Sequence, residues 1–280
     1  ITASVNGKDG GAGEIEILSD EAIPSIPEEP TPTTPETFTI SRGELSADVA
    51  QTFPQIVGYS VQGEELAGNL ATSEGWAVNG VPYAATTTAT QSATSVQYVS
   101  ELEGIDVQVT SVIEITDSGN VEFRVTDIAG SVEVNTLGLP GNVFLSTDST
   151  DAESVLDRTI VSPDSTTNAD EHIAVTGETS TGSKGAAYAF VGNGALTASI
   201  ITNATVQGTS GNASWNNRLT TSVTGTSTRT ASVGSNTWLV HPANASDSRV
   251  TTYEMPKVTV LFAQDRNSDG AVDWQDAGIR

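Results

Sequence analysis

IDVQVTSVIEITDSGNVEFRV, residues 105–125, decides the fold of this 280-residue chain. Ile105, Val107 and Val109 alternate with Asp106 and Gln108, the period of two that sends successive side chains to opposite faces of a strand. Val112, Ile113 and Ile115 then lead into Asp117-Ser118-Gly119-Asn120, a run of turn formers, and Val121, Phe123 and Val125 resume the alternation. Two such runs joined by a short turn predict an antiparallel hairpin. Val132-Glu133-Val134-Asn135 is expected to extend it as a meander.

Outward from this hairpin the same grammar holds from Phe38 onward. Thr, Val, Ser and Gly dominate, and no long stretch keeps a helical period of 3.6. One short helix is expected around Ser149–Leu156. Residues 161–183 and 202–237, rich in Thr, Ser, Gly and Asn, read as long loops or weakly patterned strands. Many short strands between Gly, Asn and Asp turns predict an all-β fold, a large antiparallel β-sandwich spanning 38–256. Ahead of it, residues 20–37 gather Pro24, Pro27, Pro30, Pro32 and Pro35 among Thr and Glu, a composition that packs no core and reads as a linker. Glu14-Ile15-Glu16-Ile17-Leu18 alternates like one edge strand, so residues 1–19 read as a remnant of a preceding domain.

Composition removes whole classes of function. With 35 Asp and Glu against 11 Lys and Arg, the formal net charge is -24. That is the wrong sign for nucleic acid or an anionic lipid surface. It fits an extracellular, self-repelling monomer. There is no cysteine, which excludes disulfides, thiolate metal sites and thiol catalysis. No apolar run approaches the roughly 20 residues that span a bilayer. The opening ITASVNGKDGG has neither a basic n-region nor an apolar h-region, and reads as the start of a mature or trimmed product.

The sharpest chemical signal is DRNSDGAVDWQD, Asp265 to Asp276. A calcium loop of EF-hand type places oxygen ligands at positions 1, 3, 5, 7, 9 and 12, with Gly at 6 for the sharp turn. Asp265, Asn267 and Asp269 fill positions 1, 3 and 5, and Gly270 fills 6. Ala271 at position 7 offers its carbonyl, Asp273 at position 9 acts directly or through water, and Asp276 stands at 12. Hard oxygen donors without nearby His or Cys favour Ca²⁺ over transition metals. Val272 fits the apolar anchor at position 8. A strand, Lys257–Ala263, precedes the loop and the start of a helix follows at Trp274; strand–loop–helix is a staple rather than a sensor. A solvated acidic turn is the plainer reading, but such turns do not ordinarily fill every slot.

Catalytic constellations are poor. His172, in Asp170-Glu171-His172, reads as an exposed loop residue, and His241, before Pro242, reads as a packing residue at a strand end. Neither a Gly-x-Ser-x-Gly elbow nor a phosphate loop is present, and no spacing singles out a carboxylate pair. Of Trp76, Trp215, Trp238 and Trp274, most are expected in the core. Trp215, among Asn212, Asn216, Asn217 and Arg218, has the most ligand-like neighbours and is the candidate for stacking on a sugar. Three Asn-x-Ser/Thr triplets begin at Asn203, Asn212 and Asn244; in so Ser/Thr-rich a chain they carry no weight.

PKVTVLF (256–262) running into DRNSDGAVDWQDAGIR (265–280) resembles the strand and calcium loop of the endo-α-N-acetylgalactosaminidases, glycoside hydrolase family 101. FPQIVGY (53–59), VNGVPY (78–83), VEFRVTDI (121–128) and AYAF (187–190) resemble further family stretches in the same order. The resemblance covers about residues 38–280. It implies a galactose-mutarotase-like supersandwich, with residues 257–280 leading to a catalytic (β/α)₈ barrel that lies outside this sequence. Family members are retaining, cell-surface bacterial hydrolases that release Galβ1-3GalNAc from Ser or Thr of mucin-type O-glycoproteins. Their catalytic carboxylates lie in the barrel, so none is assigned here. What carries over is the calcium set: Asp265, Asn267, Asp269, Ala271 and Asp276.

Three functions compete on these grounds. The first is the non-catalytic sandwich of such an enzyme, extracellular or cell-wall-anchored. The second is a free-standing, calcium-stabilised carbohydrate-binding or adhesive module, and the third a hydrolase using unrecognised carboxylates. Activity on a Galβ1-3GalNAc-α-aryl substrate and sugar binding by the chain itself separate them.

Overall fold

The computed structural model describes residues 35–70, 75–139, 143–149, 153–160, 169–174, 188–203, 219–224, 228–233, 238–240, 255–273 and 276. Nineteen strands lie among them. β1 (Thr37–Arg42), β2 (Leu45–Ala50), β3 (Ile56–Val61), β4 (Glu64–Ala67), β5 (Gly75–Val78), β6 (Val81–Gln91) and β7 (Ser95–Leu102) come first. β8 (Val107–Ile115), β9 (Val121–Gly130), β10 (Thr136–Gly138), β11 (Val143–Thr147), β12 (Glu153–Ile160) and β13 (Ala169–Ala174) follow. The last are β14 (Tyr188–Gly192), β15 (Thr197–Thr202), β16 (Leu219–Thr224), β17 (Thr228–Val233), β18 (Trp238–Leu239) and β19 (Lys257–Ala263).

The predicted hairpin is β8–β9. Ile113 stands opposite Phe123 and Ile115 opposite Val121, and along β8 buried and half-buried residues alternate without a break. The chain forms two antiparallel sheets. The smaller runs β1-β2-β3-β4-β11-β17-β16, and the larger β13-β12-β14-β15-β19-β9-β8-β7-β6-β5-β10-β18. Their inward faces share one apolar core that includes Ile40, Val49, Trp76, Tyr98, Ile113 and Phe123. Phe123 packs against Trp76 and Phe144 with ring centroids 6.4 and 6.1 Å apart.

Two buried tyrosines tie the layers. Tyr98 of the larger sheet donates its hydroxyl to the Ala50 carbonyl of the smaller at 2.8 Å. Tyr59 of the smaller sheet donates to the Phe144 carbonyl at 2.9 Å and stacks on Phe262 of β19, centroids 5.0 Å apart. A buried phenol needs a partner for its O–H, and burial pushes both well above the usual tyrosine range. On the solvent side of the larger sheet, Arg124 joins Glu114 at 3.1 Å and Glu122 at 3.4 Å, and Lys257 reaches Glu122 at 3.8 Å. These ion pairs run diagonally, because the register sets Glu114 opposite Glu122 and Arg124 opposite Lys257.

Several expectations are corrected. Val132–Asn135 is not a strand: β9 ends at Gly130, whose φ of +129° only glycine takes readily. A Cβ there would stand 2.0 Å from the Asp106 carbonyl. Beyond the kink the backbone bonds to a side chain. Asn79 accepts from the amides of Asn135 and Thr136 at 2.8 and 3.1 Å and donates to the Glu133 carbonyl at 2.9 Å. Asn79 is free to do so because Asn79 and Gly80, with φ of 51° and 83°, make the tight β5–β6 turn, the Asn-Gly geometry that suits strand twist. The short helix expected around Ser149–Leu156 is also absent, since Glu153–Ile160 is β12, paired with β13 on one side and β14 on the other. His172, expected in a loop, lies on β13. Finally, β19 is not an exit from the sandwich but an inner strand of its larger sheet, between β15 and β9.

Candidate metal centre

β19 delivers Asp265 two residues beyond its last member, Ala263. From there the loop turns on carboxylate-to-amide bonds. Asp265 accepts from the Asp269 amide at 3.2 Å and the Gly270 amide at 3.1 Å, one on each oxygen. The Asn267 side-chain oxygen shares the Asp269 amide at 3.0 Å, while its side-chain nitrogen donates to the Asp269 carboxylate at 3.0 Å. Asp269 accepts in turn from the Ala271 amide at 2.9 Å. Gly270 makes the sharp turn at φ +88°, as its place at position 6 requires. The side chains at positions 1, 3 and 5 are therefore knitted together and stay exposed to solvent, where an ion from water has access.

Asp276 behaves differently. It is fully buried, and its backbone is helical, as expected for a helix start beyond Trp274. One carboxylate oxygen accepts from the amides of Arg266 at 2.7 Å and Asn267 at 3.0 Å, the other from Asp273 at 3.1 Å. Burial alone would raise its pKa, but the Asp273, Asn267 and Arg266 amides and the Arg266 charge together hold it below the usual carboxylate range. A carboxylate offers about four lone-pair sites, and three are taken. Asp276 thus has room for one further contact, not the bidentate grip usual at position 12.

Among the described residues no three Asp, Glu or His side chains stand together as a ready cluster. The donor set the loop presents is mixed: the carboxylates of Asp265 and Asp269, the amide oxygen of Asn267, the Ala271 carbonyl and one site on Asp276. Neutral and charged oxygens in such a mixture fit a hard divalent cation of Ca²⁺ type. Asp273, half-buried at position 9, stands beside them. Trp215, the predicted sugar contact, lies outside the described residues, as do Trp274 and His241. Trp76 and Trp238 are core residues, as expected. Asn203 is occupied by backbone: it accepts from the Lys257 amide at 2.8 Å and donates to the Met255 carbonyl at 2.8 Å.

Two curled antiparallel sheets closed over one core, with an acidic loop at the end of a central strand, define the class of the molecule as a supersandwich. The chain belongs to the galactose mutarotase-like fold domain family, whose model matches residues 40–274. The solved structure of the alpha-N-acetylgalactosaminidase NagBb from Bifidobacterium bifidum is similar at 12% identity and a TM-score of 0.49, over 82% of this chain and 36% of that one. A galactose mutarotase-like protein from Lactobacillus casei is similar at 12% identity and a TM-score of 0.45, over 81% of this chain and 100% of that one. The GH36 alpha-galactosidase AgaA from Geobacillus stearothermophilus is similar at 12% identity and a TM-score of 0.43, with 82% of this chain covering 41% of that one. This chain thus spans well under half the length of both glycosidases.

Proposed function

We propose that this chain is the non-catalytic sandwich of a bacterial endo-α-N-acetylgalactosaminidase, an extracellular or cell-wall-anchored enzyme acting on mucin-type O-glycoproteins. The observation that carries the reading is the continuity of β19 with the loop. A strand gripped on both sides within the larger sheet runs into a segment whose carboxylates bind its own amides. Calcium, when bound, supplies a fixed charge that pins this segment to the sheet and sets the direction in which the chain leaves it. Asp265, Asn267, Asp269 and the Ala271 carbonyl are the ligands in this reading, with Asp276 lending one oxygen and Asp273 acting directly or through water. Membership of the galactose mutarotase-like family and the PKVTVLF-to-DWQD stretch support it. No residue of this chain is assigned a catalytic step.

Assay of this chain, and of the longer product of its natural gene, on a Galβ1-3GalNAc-α-aryl substrate tests the proposal. The chain alone is expected to be inactive and the longer product active. Turnover by the chain alone, or a longer product without hydrolase activity, would overturn it; the second result would leave a calcium-stabilised adhesive module as the reading. Calorimetric titration with CaCl₂ tests the loop separately, with binding expected in the native chain and abolished in Asp269→Ala.

A further inference from the structure

Two asparagines make the same clip at different places in the fold. Asn79, in the β5–β6 turn, accepts from the Asn135 and Thr136 amides at 2.8 and 3.1 Å, while its Nδ2 donates to the Glu133 carbonyl at 2.9 Å. Asn193, in the turn between β14 and β15, accepts from the Ala195 and Leu196 amides at 3.1 and 2.9 Å, and its Nδ2 donates to the Glu65 carbonyl at 2.7 Å. The first clip ties its turn to the stretch between β9 and β10. The second ties β14 of the larger sheet to β4 of the smaller. In each, Oδ1 takes two amides and Nδ2 holds one carbonyl far away in sequence. The next residue in each is glycine, Gly80 and Gly194. Asn precedes Gly at 6, 79 and 193 in the chain, and the pairs at 79 and 193 are those among the described residues.

An Asn–Gly pair carries its own nucleophile. Without a Cβ beside it, the glycine nitrogen can approach the asparagine Cγ closely, provided the side-chain amide swings back over the following peptide. Asn79, Gly80 and Gly194 are exposed and Asn193 is half-buried, so water reaches both turns. A Cβ built on Gly80 would meet nothing within 4 Å, and no packed neighbour stands in the way of ring closure there. What holds the amide away from the glycine nitrogen is the clip itself. Three hydrogen bonds fix each side chain on other backbone groups, and attack has to wait until they open.

We infer that Asn79 and Asn193 are deamidation sites held silent by the fold, and that each, once modified, cannot re-form its clip. The glycine nitrogen attacks Cγ, a nitrogen–Cγ bond forms, and the Cγ–Nδ2 bond breaks. Nδ2 leaves as ammonia and carries off the peptide proton. Water then opens the cyclic imide at either carbonyl, leaving aspartate or isoaspartate; overall one water enters and one ammonia departs. In the aspartate product an oxygen stands where Nδ2 stood. An ionised carboxylate only accepts, so it faces the Glu133 or Glu65 carbonyl, acceptor against acceptor, where the native distances are 2.9 and 2.7 Å. The isoaspartate product adds a carbon to the backbone, which the β5–β6 turn, at φ of 51° and 83°, does not accommodate. Brief opening is thereby converted into a permanent one. Asn203 is the built-in control. It makes a similar clip, accepting from the Lys257 amide and donating to the Met255 carbonyl, but Ala204 follows it and its Cβ hinders the attack. The inference stands on different residues from the metal centre and holds whether the sandwich is joined to a hydrolase or acts alone.

The intact chain is held at mildly alkaline pH, in native buffer and in guanidinium chloride, and its peptides are followed by mass spectrometry with isoaspartate detection. In denaturant, Asn79 and Asn193 are expected to convert and Asn203 to stay an amide. In native buffer both conversions are expected to slow at least roughly tenfold, because they draw on the small population in which the clip is locally open. Equal rates in the two buffers would overturn the inference, as would an unfolded chain that keeps both amides. The lock is tested separately by amide hydrogen exchange on variants that carry the product. Asn79→Asp is expected to speed exchange at Asn135 and Thr136 but not at Ala195 and Leu196, and Asn193→Asp to do the reverse. Native protection in both variants would show that the clip survives the loss of its donor, and the inference would fall.

Discussion

In the β8–β9 hairpin, order comes from carbon: Val107, Val109, Ile113, Ile115, Val121, Phe123 and Val125 are all buried. In the loop from Asp265 to Asp276 the one fully buried side chain among the described residues is a carboxylate, and order comes from oxygen accepting backbone N–H. Apolar burial is non-directional and spread over many residues, so the hairpin has no single keystone. Carboxylate-to-amide bonds are directional and few, so the loop has one in Asp276. Asp106 makes the same kind of bond beside the hairpin, to the Ser131 amide at 3.0 Å, but from an exposed position. A carboxylate shielded from water loses more when its bonds break than an exposed one, so the link at Asp276 is expected to outweigh the one at Asp106.

The comparison breaks most visibly at Phe123. Phe123→Ala leaves a hole between Trp76 and Phe144 and is expected to cost about 3–5 kcal/mol in urea unfolding, while leaving calcium affinity unchanged. A comparable loss of affinity in that variant would show the two regions to be one cooperative unit. Next in size, Ca²⁺ at one hundred times its Kd is expected to stabilise the native chain by about 2.7 kcal/mol. A calorimetric scan with and without chelator checks this, and Asp269→Ala should erase the difference. Asp276→Ala strips an acceptor from three amides and is expected to cost about 1–3 kcal/mol. Amide hydrogen exchange should accelerate at Arg266, Asn267 and Asp273 and stay slow in β8.

The smallest effect lies at Asp106. Hydrogen bonds from the Ser131 side chain and amide hold its carboxyl below the ordinary aspartate value of 3.8. A depressed folded value means the contribution is present above that ordinary value and fades as pH falls through the folded one. NMR titration of the Asp106 carboxyl should show the depressed midpoint, and Ser131→Ala should move it upward.

Much of the fold was legible because burial on one face writes a period of two into the chain. β8 and β19 were read with nearly their observed limits for that reason, and β9 was read from its start at Val121 but not as far as its end at Gly130. Glu153–Ile160 was misread because Ala152, Glu153 and Leu156 favour helices locally. Pairing on both edges, to β13 and β14, overrode a preference worth only tenths of a kcal/mol per residue. Val132–Asn135 alternates like a strand, but the kink at Gly130 and the reach of Asn79 depend on partners dozens of residues away. The loop's donor spacing is local and could be read directly, whereas the capping role of Asp276 needed the backbone path.

The position of β19 also bears on how the molecule is made. Among the described strands it alone joins the β13-β12-β14-β15 group to the β9-to-β18 group, yet it is synthesised after every strand it bridges. Until residue 257 has left the ribosome, β9 and β15 each present an unpaired edge, a template for intermolecular pairing. Closure of the larger sheet therefore waits on seven residues, Lys257–Ala263, and the exposed edges before that point are the hazard the growing chain carries longest.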